Sequence, residues 1–246
     1  MENILAQQSF DNKNHLNHKT VTLEESIKEH RQPQWNPYCN NEGTICAIGG
    51  KGFLIIGADT RLSSGYSIVS RNSSKIQKLT NDTYLATSGM HADFKALCQN
   101  LDVRLKMYEF DNGRAPSTKS CASLLARTLY QKRFFPYYTF NALCGFDSEG
   151  NGTTYGYDAV GSYDTKSYVV LGSASQLIIP VLDCQIESYN KLNSTFEKSK
   201  EQVEKLIIDV FNSATERDIY TGDSLELIII EQGKEPQTKI VKLRHD

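Results

Sequence analysis

Two opposite charges, Asp59 and Arg61, close the apolar run Phe53-Leu54-Ile55-Ile56-Gly57-Ala58. Ionised side chains at the rim of a buried strand are costly unless paired. This strand end is therefore where chemistry or a partner is expected, unless the two simply form a structural ion pair. Lys75 follows sixteen residues after Asp59; taken alone, a single lysine reads as a solvated side chain. Gly172-Ser173-Ala174-Ser175 has the small residues of a phosphate cradle at a helix start, but it lacks the G-K-[ST] ending of a P-loop. Gly49-Gly50-Lys51-Gly52 fails the same test and reads as a turn. His15, His18 and His30 have no second ligand cluster, and none of the six cysteines forms a C-x-x-C pair, so a metal site is not expected. No cofactor is expected either.

The element that must hold the charged pair is a hairpin. Thr44 to Gly50 is apolar, Lys51-Gly52 turns the chain, and the run ending at Asp59 returns it. The second run is apolar without a break, as in a strand buried on both faces. Short strands are predicted around Ser67–Arg71 and Tyr84–Ser88. Phe94, Leu97, Cys98, Leu101, Leu105 and Tyr108 recur at helical spacing and predict a helix over His91–Phe110. Arg114-Ala115-Pro116 breaks it before a second helix near Ser117. Strands are predicted at Tyr138–Phe146, Thr153–Tyr157 and Ser167–Leu171, and a helix at Ser173–Leu182. Val203, Leu206, Ile207, Val210, Phe211 and Ala214 mark a further amphipathic helix, and Leu225–Glu231 and Thr238–Leu243 the last strands. The order predicts a layered α+β architecture.

Met1 to about Asn41 is rich in Asn, Gln, His and Lys and lacks periodicity apart from a short predicted helix at Thr22–His30. The expected division is a flexible tail over 1–42 and one domain over 43–246. A formal charge of -2 over 246 residues argues against nucleic-acid binding. No run approaches the roughly 20 apolar residues of a membrane span, and no apolar core of a secretory signal is present near Met1. The cysteines are then expected to be reduced and mostly buried, and the sequons at Asn72, Asn81, Asn151 and Asn193 to be chance matches.

The Gly43-Thr44 start, the hairpin, Ala58-Asp59-Thr60-Arg61, Gly65 and Lys75 resemble the opening of a proteasome β-type subunit, a family of the N-terminal nucleophile hydrolases. The later segments Arg104–Tyr108, Arg133–Tyr138, Val160–Tyr163, Gly172–Ser175 and Glu216–Asp223 resemble that family in the same order. The resemblance implies a four-layer αββα sandwich and an N-terminal prosegment that is trimmed on assembly. It also implies α-type and β-type partners in stacked rings, a part in ubiquitin-dependent protein degradation, and a place in cytosol and nucleus. In active relatives the hydroxyl of a freed N-terminal threonine is the nucleophile and its α-amine the base. By resemblance Asp59 matches the first aspartate, Arg61 its neighbour, Lys75 the site lysine, Ser173 the serine near the amine and Asp218 the later aspartate. The threonine position, sixteen residues before Asp59, is Gly43. The resemblance thus implies a subunit with no catalytic residue, in which Asp59, Arg61, Lys75, Ser173 and Asp218 are vestigial. The alternative is a threonine protease that uses Thr44 after cleavage behind Gly43. Strand alternation turns Thr44 away from Lys75 and Asp59, whereas a threonine at 43 would set its hydroxyl beside them.

Overall fold

The Lys51-Gly52 turn closes the expected hairpin, with β1 (Thr44–Gly50) antiparallel to β2 (Phe53–Asp59) and Gly50 opposite Phe53. The computed structural model describes residues 35–187 and 198–245. The predicted Thr22–His30 helix lies outside them. From the hairpin the chain continues through β3 (Leu62–Ser64), β4 (Ser67–Ser70), β5 (Ile76–Lys78) and β6 (Tyr84–Gly89). Two helices follow, α1 (His91–Asn112) and α2 (Thr118–Tyr130), then β7 (Thr139–Phe146), β8 (Gly152–Tyr157), β9 (Tyr163–Lys166) and β10 (Tyr168–Gly172). Helix α3 (Ser175–Leu182) runs into a π-helical turn (Asp183–Glu187), and α4 (Lys200–Thr215), β11 (Ser224–Glu231) and β12 (Gln237–Lys242) complete the order.

Two antiparallel five-stranded sheets result, ordered β10-β1-β2-β11-β12 and β5-β6-β7-β8-β9. Strand periodicity sorts side chains into three cores. Ile45 and Ala47 of β1, with Leu54, Ile56 and Ala58 of β2, meet Ala86, Ala142 and Cys144 of the other sheet. The alternate residues Cys46, Ile48, Phe53 and Ile55 face Ile178 and Leu182 of α3 and Ile207 and Phe211 of α4. On the far side Leu85 and Leu143 meet Leu97 and Leu101 of α1 and Leu125 and Leu129 of α2. Three cores between four layers give the αββα sandwich. At two glycines the sheets meet backbone to backbone: a Cβ built on Gly49 of β1 would stand 2.2 Å from the Gly152 carbonyl oxygen of β8.

Several predicted boundaries shift for physical reasons. α1 runs to Asn112 and stops at Gly113, whose left-handed φ of 64° lets its N–H reach the Glu109 carbonyl at 2.8 Å. α2 starts where Ser117 accepts the Ser120 N–H. α3 starts at Ser175, two residues later than predicted, because Ser173 and Ala174 bond to residues of β1 and its approach. Strands β3, β5 and β9 were not predicted; each has only three or four residues, and all four of β9 are exposed, so no apolar alternation marks them.

The compact unit begins at Tyr38, ahead of the expected boundary at Gly43. The Tyr38 hydroxyl donates to the Pro136 carbonyl at 2.7 Å, and its ring packs on Phe135 and Tyr138. Asn41 binds four backbone groups on two facing walls. Its N–H donates to Gly89 O (3.1 Å) and its carbonyl accepts from Ser63 N (3.3 Å). Its side-chain amide donates to Ser63 O and accepts from His91 N, both at 2.9 Å.

Candidate functional site

Gly43 enters β1 with a left-handed φ of +83°, and a side chain there would have to displace the tip of Lys75. A Cβ there would stand 2.3 Å from Lys75 Cε, 2.7 Å from Lys75 Nζ and 2.9 Å from Asp59 Oδ1. The structure therefore gathers Gly43, Asp59 and Lys75 at one point, with the tip of Lys75 where a side chain at position 43 would begin. Lys75 Nζ uses its donors fully: it donates to the carbonyls of Asp59 (2.7 Å) and Arg61 (2.6 Å) and lies 3.1 Å from Asp59 Oδ1. Asp59 also accepts the N–H of Thr44 (2.7 Å) and of Arg61 (3.1 Å). Burial pushes the Asp59 carboxyl up, against the Lys75 charge and these two N–H groups.

Thr44 looks elsewhere, as strand alternation predicts. Its Oγ1 accepts the Ala174 N–H at 3.0 Å and lies 2.8 Å from Thr221 Oγ1 and 3.5 Å from Ser173 Oγ. Thr221 and Ser173 each donate to Asp218 Oδ2 at 2.6 Å. Since the Thr221 proton goes to the carboxylate, Thr44 is the donor in the Thr44–Thr221 pair. Ser173, Asp218 and Thr44 thus form a second cluster beside the Asp59–Lys75 one. The Gly43 carbonyl links the two, accepting from Ser173 N and Ser88 Oγ, both at 3.1 Å.

Arg61 joins neither cluster through its side chain, and the ion pair suggested for Asp59 and Arg61 does not form. The guanidinium turns to Asp223, with Nε 2.8 Å from Oδ2, and to the Ile219 carbonyl at 2.8 Å. Asp59 takes Lys75 as its cation instead. The reason is geometric: only the Arg61 backbone N–H reaches back to Asp59.

Sequence reasoning missed Thr221, Asp223 and Asn41. Thr221 and Asp223 lie within Glu216–Asp223, and a hydroxyl three residues after Asp218 was the available signal. Asn41 sits in a polar stretch with no such mark. Glu42, immediately before Gly43, has φ of 55°; burial and the nearby Asp218 charge raise its pKa. Burial also pushes the thiols of Cys46 and Cys98 up to about 12, far from a reactive thiolate. Among the described residues there is no His/Cys/Asp/Glu cluster fit for a metal and no helix long and apolar enough to cross a membrane.

Residues 40–230 match the proteasome subunit family. The chain is 47% identical over 217 residues to Proteasome subunit beta type-1 of Arabidopsis thaliana, covering 86% of this chain and 97% of that protein. It is 45% identical over 221 residues to Proteasome subunit beta type-1 of Oryza sativa subsp. japonica, covering 88% and 99%. Against Proteasome subunit beta type-1 of Drosophila melanogaster it is 43% identical over 220 residues, covering 88% and 93%. A likeness of that extent, carried on a four-layer sandwich whose two site clusters meet at Gly43, means that this chain belongs to the proteasome subunit family.

Proposed function

We propose that this chain is a β-type subunit of the proteasome core particle that builds the particle and cleaves no peptide itself. It assembles with α-type and β-type subunits in stacked rings, in cytosol and nucleus, and serves ubiquitin-dependent protein degradation through the chamber it helps to enclose. The observation that carries this reading is Gly43, a nucleophile position with no side chain, whose would-be Cβ lies within van der Waals overlap of Lys75.

Three further features favour silence. The Thr44 nitrogen is an amide whose N–H is spent on Asp59, so it is no base, and the Thr44 hydroxyl is held by Ala174 and Thr221. Residue 42 is a partly buried glutamate with a left-handed φ of 55°, its N–H and carboxylate both tied to the side chain of Asn40. Asn41 already takes the Ser63, Gly89 and His91 backbone groups that could otherwise pair with an extended peptide. The rival reading, a threonine protease working through Thr44, requires cleavage at Gly43-Thr44 and a free amine beside a free hydroxyl.

The deciding experiment treats native particles with a threonine-directed covalent probe and reads the mature N-terminus of this chain by mass spectrometry. The chain is expected to stay unlabelled and to begin upstream of Gly43. Labelling of Thr44, or a mature start at Thr44, would reinstate the protease.

A further inference from the structure

Asp223 lies outside both site clusters, yet three parts of the fold converge on its carboxylate. It is 3% exposed, with a left-handed φ of 67°. Oδ2 accepts from Arg61 Nε at 2.8 Å, and Oδ1 accepts from Arg61 Nη2 at 3.3 Å and from Arg71 Nη1, at the end of the β3–β4 hairpin. His245 Nδ1 stands 3.2 Å from the same Oδ1. The Asp223 backbone extends the β11–β12 ladder: its N–H donates to Arg244 O at 2.8 Å and its carbonyl accepts from Leu243 N at 3.0 Å.

The C-terminal residues also reach the other end of the loop that precedes Asp223. Arg244 Nη1 meets Glu216 Oε2 at 2.7 Å, so Arg244 brackets Glu216–Gly222, by side chain at its start and by backbone just past its end. Arg61, aligned by Asp223, holds the middle of this loop through the Ile219 carbonyl. It does so across Gly222, where a Cβ would stand 2.7 Å from the guanidinium carbon. The loop carries Asp218 and Thr221, the partners of Ser173 and Thr44. Loop, hairpin and Arg244 together line a cleft of about 440 Å³ with Arg61 among its walls.

We propose that Leu243–His245, keyed onto Asp223, is a latch: it holds Glu216–Gly222 in the form in which Asp218 meets Ser173 and Thr221, making Asp223 a positioning residue for the cluster around Thr44. The latch explains why a buried carboxylate collects two arginines and a histidine at a distance from Gly43. It also makes the last residues part of the site's support. This inference rests on the fold alone and stands whether or not the subunit is silent.

Hydrogen exchange of the chain in its native assembly tests the latch, comparing wild type with Asp223→Asn, Arg71→Leu and a chain ending at Lys242. Local opening is expected to raise exchange about tenfold in the Glu216–Gly222 amides and at Ala174, with β7 amides unchanged. Loss of protection confined to residues 242–245 would overturn the proposal by making the strap a passive tail. Equal loss across the whole domain in all three variants would overturn it as well, since Asp223 would then be a general stability residue. Asp223→Asn guards against a misfolded result, because it keeps the side-chain size.

Discussion

Gly43→Thr would put a threonine where the resemblance to active relatives implies a nucleophile, and the structure says what it meets. The new Cβ starts 2.3 Å from Lys75 Cε, so either the lysine or the strand entry must move. Holding an L-residue at a φ of +83° costs roughly 1–2 kcal/mol. Displacing Lys75 strips a buried ammonium of one or two charge-assisted hydrogen bonds, at roughly 1.5–3 kcal/mol each. The sum, roughly 2.5–8 kcal/mol, is a large fraction of the roughly 5–15 kcal/mol that stabilises a domain. It brings no base, because the Glu42–Gly43 peptide bond remains intact. A threonine here would set its hydroxyl beside Asp59 only after the tip of Lys75 has moved aside. Gly43→Ala meets the same clash without the hydroxyl and should lose a similar amount. The assay pairs thermal unfolding of both variants with covalent-probe labelling of particles that carry them. Probe labelling at position 43 with an unchanged Tm, or an alanine variant as stable as wild type, would refute the steric reasoning.

Other consequences are as direct. Thr44→Val should cost about 1–3 kcal/mol by leaving the Ala174 N–H without its acceptor, while Thr44→Ser stays near wild type in the same unfolding assay. Glu231 is held down at about 2 by hydrogen bonds from Lys200 and Lys234. Its folded pKa lies below the ordinary 4.5, so this contribution is complete above about 4.5 and lost as pH falls to about 2. Glu231→Gln should flatten that part of the stability-against-pH curve; an unaltered acid limb would count against the pairing. Trimming of the N-terminal stretch should stop between about Arg31 and Pro37, because Tyr38 and Asn41 are bonded into the domain. Mass spectrometry of the mature chain checks this, and a terminus between Cys39 and Glu42 would contradict it.

Much of the fold was readable because its long elements repeat at their own periods. Ile45 and Ala47 against Cys46 and Ile48, or Phe94 through Leu105, announce strand and helix whatever surrounds them. β9 carries no such pattern and exists because β8 offers it an edge. At the site, the spacing from Asp59 and Lys75 pointed to Gly43, and the structure brings the three together. The partner of Arg61 was not legible, since spacing cannot say which way a guanidinium turns: Asp223 is 162 positions away. Asn41 was invisible for a related reason. Its weight comes from four backbone atoms of Ser63, Gly89 and His91, and backbone groups leave no trace in residue identity.

The contact between Gly49 and Gly152 bears on more than local packing. The two sheets touch backbone to backbone there, while Asn41 bridges Ser63 of the separate β3–β4 hairpin to Gly89 at the end of β6 and His91 at the start of α1. A methyl group added at either glycine would meet main chain, which cannot swing aside as a lysine tip can, so the layers themselves would have to part there. Gly49 and Gly152 thus fix how closely the two sheets may lie at that end of the sandwich.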